Sequence, residues 1–551
     1  MRSNNLFQVF MPVLCFLLIV TGGNVAAQDK RGKKEEISIT SSFKPSIVKT
    51  GKLEFQAEAP PKDSTAYRLS YPTLPIQFST PMSSFIIKPL SFHTTEKQQD
   101  KEDVYAKLGF GNLSTPFASL GYTARKAKEQ FSANLDHISS KGKLEDQQYA
   151  HSSLNLGYKN TIAENRIARV YAGFDRQGYR LYGFDHVINP SLPVADLRQN
   201  FNNFHLGAKY DHLSGENGSM TLMPEFRADF LTASRAQSEF AFKLAFPISY
   251  KINEKLNAGI AIDAQLASLK NGTQSNLSAA LVQVPLSFGY SPSSFNIKGS
   301  IIPVLKSKKF SLVPNLQLDY SLAETGVKLK VAVVNKLDIN SLHKLYAFNP
   351  FLVSPDSLTT FQQTDFYAGV EWLSAKGLQL KFIGGYTVFN DLPLFINGQG
   401  SGKEMEVLNE KQLNAIQLGG EVNYTFTPEM EFRSSINMYA FQDQVSHQAA
   451  YGLLPLELKF GLLWKPINGL TTRVNADLWR GAISRSPGMP EKRLKDAADI
   501  NLGVDYKLNK KWALWVDLNN IANIQYQRWN QYDSFGFNFI AGLRYSFTKA
   551  K

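Results

Sequence analysis

The chain has 551 residues, of which 43% are hydrophobic and 12% aromatic, and it carries a formal net charge of +13. This composition is too polar for a bundle of membrane-spanning helices. Its Lys and Arg residues are scattered rather than gathered into one patch, which argues against nucleic-acid binding, and its single cysteine excludes a disulfide framework.

The first 27 residues have the pattern of a secretory signal peptide. Arg2 supplies the positive start, residues 9–20 form an apolar run too short for a spanning helix, and Ala26 and Ala27 provide a small-residue cleavage site. Cys15 lies inside the apolar run. We therefore expect the mature chain to leave the cytoplasm and to contain no thiol.

Residues 28–103 differ in composition from the rest of the chain, because prolines recur along them: Pro45, Pro60, Pro61, Pro72, Pro75, Pro81 and Pro89. Proline cannot donate a hydrogen bond to a neighbouring strand, so this segment cannot form the wall of a sheet. Two interpretations remain open. It is either an extended segment inside the lumen or along the periplasmic rim, or a disordered periplasmic leader.

Residues 104–551 repeat one unit, about ten residues of alternating apolar and polar character followed by a turn. In residues 257–266 the apolar face contains Ala258, Ile260, Ile262, Ala264 and Leu266. Period-two alternation belongs to strands with one apolar and one wet face. The pattern predicts an all-β fold, a transmembrane antiparallel up-and-down β-barrel of about 22 strands preceded by an N-terminal extended non-barrel segment.

The connections alternate between short and long. Short turns are predicted near Asn253, Pro292, Glu324, Lys376, Pro428, Asn468 and Lys510, and long breaks at 179–200, 335–363, 390–410, 442–449, 481–496 and 523–534. Bacterial barrels have short periplasmic turns and long extracellular loops. The long breaks fall at odd-numbered connections, so both ends of the barrel are expected in the periplasm.

Two regions carry a family resemblance. Residues 516–526 (VDLNNIANIQY) and 536–547 (GFNFIAGLRYSF) resemble the closing strands of TonB-dependent outer-membrane receptors. Residues 107–112 (KLGFGN) with 136–146 (DHISSKGKLED) resemble a group of such barrels that lacks the receptor plug. The resemblance implies the outer membrane of a Gram-negative bacterium, contact with its lipid, and recognition by the barrel-assembly machinery.

Two sets of residues are candidates for function. The long loops carry apolar tips that are candidate contacts for a solute, or that fold back as a lid: Phe348, Phe351, Phe395 and Ile396. Alternation also places charges of both signs on the lumen face, either as a selectivity site or as pairs in a hydrated interior: Glu371, Glu421, Arg433, Glu457, Lys459, Arg473 and Asp477.

The sequence offers weak evidence for catalysis. His137 and Ser139 share one strand face, but parallel side chains are not expected to reach each other, and a role in the turn that ends at Gly142 is favoured. The His residues show no metal-binding spacing, and no cofactor motif is present. We therefore expect no enzyme, no metal and no cofactor.

The sequence leaves two functions open. The first is a receptor-like or porin-like barrel that binds or passes a solute across the outer membrane. The second is a non-conducting scaffold in an envelope secretion or assembly complex, with other envelope proteins as partners.

Overall fold

A computed structural model describes residues 103–547 apart from 185–192, 214–219, 235, 273–275, 308, 323–324, 375–376 and 400. The predicted signal peptide, residues 1–27, lies outside the described residues. So does the Pro-rich segment 28–103, apart from its last residue, Asp103. Among the described residues, no helix has the length and apolar character that crossing a membrane requires.

The described chain forms one closed antiparallel barrel of 22 strands. Each strand pairs with the strands before and after it, and the last strand pairs with the first, with Val104 opposite Phe547 and Gly111 opposite Ile540. The wall therefore has no free edge, and every strand can satisfy its backbone groups within hydrocarbon. The predicted up-and-down barrel is confirmed.

The first eleven strands are β1 Val104–Gly111, β2 Thr115–Arg125, β3 Glu129–Ser140, β4 Tyr149–Ala163, β5 Arg166–Arg180, β6 Arg198–His212, β7 in two parts Met220–Leu222 and Glu225–Ala233, β8 Gln237–Lys251, β9 Leu256–Asn271, β10 in two parts Leu277–Gln283 and Leu286–Tyr290, and β11 Phe295–Lys306. The remaining eleven are β12 Lys309–Ser321, β13 Val327–Ile339, β14 Thr360–Leu373, β15 Leu378–Asn397, β16 Met405–Thr427, β17 Met430–Gln442, β18 Leu456–Trp464, β19 Leu470–Trp479, β20 Ala497–Lys507, β21 Trp512–Asn519 and β22 Asn538–Phe547.

The connections at one end of the barrel contain short helices and hairpins. The helices are α1 Val194–Leu197 and α2 Leu342–Phe348. One small hairpin pairs Ile483–Ser484 with Lys492–Arg493, and another pairs Gln527–Trp529 with Tyr532–Asp533.

The wall has an apolar outer face. In β9, Ile260, Ile262 and Leu266 are each 46% exposed, whereas Gln265 between them is 7% exposed. In β12, Leu316 and Leu318 face outward and Asp319 is buried. Outward apolar residues around the whole wall form a belt that matches hydrocarbon, and this belt places the barrel in the outer membrane.

The predicted turns lie at one end of the barrel, between β8 and β9, β10 and β11, β12 and β13, β14 and β15, β16 and β17, β18 and β19, and β20 and β21. Bacterial barrels have their short turns in the periplasm, so we expect this end to be the periplasmic one. Two predicted breaks are wrong in part. In the break 335–363, residues 335–339 and 360–363 are paired strand. In the break 390–410, residues 390–397 and 405–410 are paired strand rather than loop; Asp391, with φ +53°, interrupts the ladder between Asn390 and Leu392 without changing its register.

Candidate functional site

The extracellular end of the barrel is covered by loops that fold inward. We call this cover the cap. It is formed by the loop residues 181–184, 340–359 and 520–537 and by the ends of β15 and β16 with their connection, residues 392–399 and 401–408. Its buried apolar side chains are Leu181, Tyr182, Phe184, Leu342, Leu345, Tyr346, Phe348, Phe351, Leu352, Phe395, Met405, Trp529 and Tyr532. The same cluster contains Phe201 of β6, whose ring centroid lies 3.9 Å from that of Tyr346, and on the far side of the wall Phe395 of β15 and Met405 of β16. The cap therefore spans the mouth.

Aromatic contacts join the loops at the centre of the cap. Phe351 and Tyr532 stack with ring centroids 3.6 Å apart and an angle of 14°. Trp529 makes edge contacts with Phe348 at 5.4 Å and with Phe395 at 5.2 Å. Each such pair contributes about 0.5–1.5 kcal/mol beyond the area it buries. One aromatic cluster thus holds together two loops and the end of β15.

Helix α2 is fixed to the wall at its N-terminus. The carboxylate of Glu239, in β8 and 3% exposed, accepts hydrogen bonds from the backbone N–H groups of Leu342 at 2.5 Å and His343 at 3.1 Å. Ser341 caps the same end by accepting from the N–H of Lys344. A buried carboxylate suits a helix N-terminus, whose first N–H groups have no partner within the helix.

A second bond ties the same helix to β8. The Tyr346 hydroxyl donates to Gln237 Oε1 at 2.7 Å, and both groups are buried. Because Gln237 and Glu239 lie two residues apart, they share the inward face of β8. We call this pair of contacts the β8 clamp, formed by Gln237 and Glu239.

Hydrogen bonds also connect the loops to one another. Tyr182 Oη donates to the carbonyl of Asp533 at 2.7 Å, and Asn530 Nδ2 donates to Asn397 Oδ1 at 2.8 Å. The Arg528 guanidinium donates to the carbonyl of Gly452 at 2.9 Å and lies 4.1 Å from the Trp529 ring centroid. Burial lowers the pKa of Arg528 to about 10, and the Glu457 carboxylate opposes this shift. Arg528 therefore brings a positive charge to the underside of the cap at neutral pH.

The cap contains the loop residues predicted from sequence. Phe348, Phe351 and Phe395 are 7%, 2% and 1% exposed, and Ile396 is half-buried beside the hairpin. The structure brings the three Phe side chains together in one cluster, in the arrangement of a lid, whereas Ile396 packs against a separate cluster that contains Leu394 and Tyr451. They can meet a solute from outside only when the cap opens, so their role as contacts stays a prediction.

Other apolar residues occupy the exposed positions on the extracellular side. Val445 is 65% exposed and Met489 is 67% exposed. Sequence reasoning missed both. The sequence does contain a signal for Met489. This residue lies between Pro487 and Pro490 and next to Gly488, which adopts φ +69°. In such a rigid turn an apolar side chain stays exposed.

The predicted lumen charges lie on the inward side of their strands and mostly beside opposite charges. Glu371 pairs with Lys330 at 2.8 Å, and Glu421 pairs with Lys381 at 3.4 Å. Arg433 pairs with Glu431 within its own strand. Mixed signs around the wall suit a hydrated interior better than a filter that selects one sign of ion.

The remaining four charges lie on adjacent strands. Arg473 contacts Asp505 and lies 3.6 Å from Asp517. Lys459 is directly opposite Asp477 in the strand register. Glu457 is the next inward residue to Lys459 in β18 and faces Arg528 of the cap. Neighbouring charges of opposite sign therefore line the lumen wall up to the cap.

Two expectations about chemistry can be compared with the structure. Within the described ranges, no group of three or more His, Cys, Asp or Glu side chains is arranged to bind a metal ion. Gly142 has φ +73°, as its turn requires, but the expected separation of His137 and Ser139 is wrong. Ser139 Oγ lies 3.3 Å from His137 Nε2, because the imidazole is long enough to bend along the strand.

Comparison with known proteins identifies the fold. No family model and no curated protein matches the sequence. The structure is similar to that of the FrpB iron transporter from Neisseria meningitidis (F3-3 variant), with a TM-score of 0.64 and 10% identity over 82% of each chain. It is also similar to the siderophore receptor PirA from Acinetobacter baumannii, with a TM-score of 0.61 and 8% identity over 81% of this chain and 80% of that one.

A third similar structure is a complex of FpvAI with pyocin S2, with a TM-score of 0.59 and 10% identity over 81% of this chain and 73% of that one. At these identities the likeness concerns the fold. The chain has the 22-stranded barrel fold of TonB-dependent receptors.

Proposed function

We propose that this barrel is a gated outer-membrane receptor or transporter, which admits a solute when its extracellular cap moves. The observation that supports this proposal most strongly is the cap itself. It is a packed structure held by a few specific contacts, such as the β8 clamp, and it lies over a lumen lined with paired charges. A permanently open porin has no need for such a cover.

The similar structures suggest solutes for a first test. They include proteins described as an iron transporter, a siderophore receptor and a copper transporter. We propose a metal-bearing solute too large for free diffusion. Transport itself requires no chemical conversion of the solute.

The remaining parts of the proposal concern biogenesis and the N-terminal region. We propose that residues 1–27 are removed as a signal peptide, that residues 28–103 form a non-wall segment in place of a receptor plug, and that the barrel-assembly machinery recognises the final strand. Deleting residues 28–103 after the signal peptide would test the second of these. Conductance through the purified barrel should then rise.

A reversible lock of the cap tests the gating proposal. Leu352 and Met405 form a β-bridge between two cap segments, and both are fully buried. The mature chain has no other cysteine if cleavage occurs as predicted, so Leu352→Cys with Met405→Cys gives one defined disulfide. We expect the oxidised variant to lose uptake of a ferric siderophore panel and added reductant to restore it. Each single cysteine variant is the matched control.

The alternative, a non-conducting scaffold, is also consistent with a tightly packed cap. Planar bilayers separate the two functions when the wild type is compared with Glu239→Ala, which removes the clamp carboxylate. Stepwise currents that appear or grow in the variant support gating. Silence of both proteins, with envelope proteins that co-purify in fixed ratio, supports the scaffold.

A further inference from the structure

A hydrogen-bonded set of three side chains lies on the outer face of the barrel, outside the proposed transport path. His137 Nδ1 is 2.8 Å from Ser152 Oγ, and His137 Nε2 is 3.3 Å from Ser139 Oγ. In the tautomer with the proton on Nδ1, the imidazole donates to Ser152 and leaves Nε2 to accept the Ser139 proton. This is the order of nucleophile, base and orienting group that acyl transfer uses.

These three side chains face the membrane rather than the lumen. His137 and Ser139 share the outward face of β3 with Phe131 and Leu135, which are 40% and 43% exposed, and Ser152 shares the outward face of β4 with Leu154, 39% exposed. All three are half-exposed, so a lipid molecule can reach them. A lumen solute cannot, because the wall lies between.

On strands β3 to β6 the outward face changes from apolar to polar at the row that contains His137. One row of directly opposed residues crosses seven strands just below His137, and each is between 39% and 48% exposed: Leu120, Leu135, Leu154, Phe174, Phe204, Phe230 and Phe240. The next row upward contains His137, Ser152, Arg176 and Asn202. The change from apolar to polar marks the boundary between acyl chains and head groups, where the ester bonds of lipids lie.

The surface beside Ser139 is open. The residues opposite Ser139 on the next two strands are Ala150 and Gly178, so no large side chain covers the hydroxyl on that side. Arg176, directly opposite Ser152, is exposed and brings a positive charge to the same patch. An anionic head group can rest near Arg176 while its acyl chain lies along the apolar row below.

We propose that Ser139 and His137 form an acyl-ester hydrolase site for lipids of the outer leaflet, with Ser152 as a positioning residue. Ser139 Oγ bonds to the ester carbonyl carbon and its proton passes to His137 Nε2. The bond to the lipid alkoxy oxygen then breaks, and that oxygen takes the proton. Water attacks the acyl-serine, gives a proton to Nε2, and the fatty acid leaves as the proton returns to Ser139 Oγ.

The test uses the purified full-length protein in mixed micelles that contain either a diacyl phosphoglyceride or an acylated glucosamine glycolipid. We expect release of fatty acid from at least one of them, which also identifies the substrate. Ser139→Ala and His137→Ala should each lower the rate by about 100-fold or more. Ser153→Ala, which changes the lumen face of β4, is the matched control and should leave the rate unchanged. Heat-dependent electrophoretic mobility confirms folding of each variant.

Two further measurements separate catalysis from structural support. A fluorophosphonate probe should label Ser139 in the wild type and not in Ser139→Ala. Ser152→Ala should lower kcat about 10-fold with little change in KM, and Ser152→Asn should restore it, because an amide oxygen can accept the Nδ1 proton. Equal hydrolysis by wild type and Ser139→Ala, or neither hydrolysis nor labelling of the wild type, would overturn the proposal.

Discussion

The clearest test of the cap is removal of the Glu239 carboxylate. In Glu239→Ala, the N–H groups of Leu342 and His343 lose a buried, charged acceptor. A buried donor left without a partner costs about 1–3 kcal/mol, so two of them destabilise the docked helix by about 2–4 kcal/mol after partial relaxation. Glu239→Gln, which keeps one acceptor oxygen, should cost about half as much.

Hydrogen exchange measures this cost directly, because opening of α2 exposes its backbone amides. The N–H of Leu345 donates to the carbonyl of Ser341 at 3.0 Å, and the N–H of Asn349 donates to Leu345 at 2.8 Å. A loss of 2–4 kcal/mol corresponds to exchange about 30- to 1,000-fold faster in residues 340–349. Glu254→Ala, in an exposed periplasmic turn, is the matched control. Unchanged exchange in Glu239→Ala would refute the clamp.

Three further predictions concern the cap and the lumen. Phe351→Ala removes a 2% exposed ring stacked on Tyr532 and should destabilise the cap by about 3–5 kcal/mol, seen as faster proteolysis within 340–359 while the barrel keeps its melting temperature. Arg473→Ala leaves Asp505 and Asp517 without this partner and should shift the reversal potential of any bilayer current toward cation selectivity; no shift would mean that the charges lie off the conducting path. Burial lowers the pKa of His343, with Asp229 opposing and Arg227 adding to the shift, so the open helix binds more protons than the docked one. Docking should therefore weaken as pH falls below about 6.5. Residues 340–349 should then be less protected at pH 5 than at pH 7.5, relative to the intrinsic exchange rate at each pH, and this difference should disappear in His343→Asn.

The wall could be predicted from sequence because its two physical requirements are local. Alternation in residues 257–266 indicates which side chains face lipid. Turn residues such as Asn253 indicate where the chain reverses. Both signals act within about ten residues. The strand count and the side of the membrane follow from them.

The cap could not be predicted in the same way, because its contacts join loops far apart in the chain. Phe351 and Tyr532 meet only in the folded molecule. Residues 392–395 are buried on both faces of β15. Their sequence therefore lacks the alternation that identifies a half-buried strand, and the pattern predicts a loop. The contact of Ser139 with His137 depends on a side-chain rotamer, which sequence pattern does not specify.

The seam between the first and last strands has a consequence for how the molecule is made. Asn112 Oδ1 accepts from the N–H of Phe539 at 2.9 Å across 427 residues of chain, and the pairing of β1 with β22 is continuous along both strands. Until synthesis reaches β22, β1 presents a row of unsatisfied amides that invites pairing with other chains. A ribosome-stalled or truncated product that lacks this closing strand should therefore aggregate with its own copies in the periplasm. Loss of β22 should not merely lower the stability of the barrel.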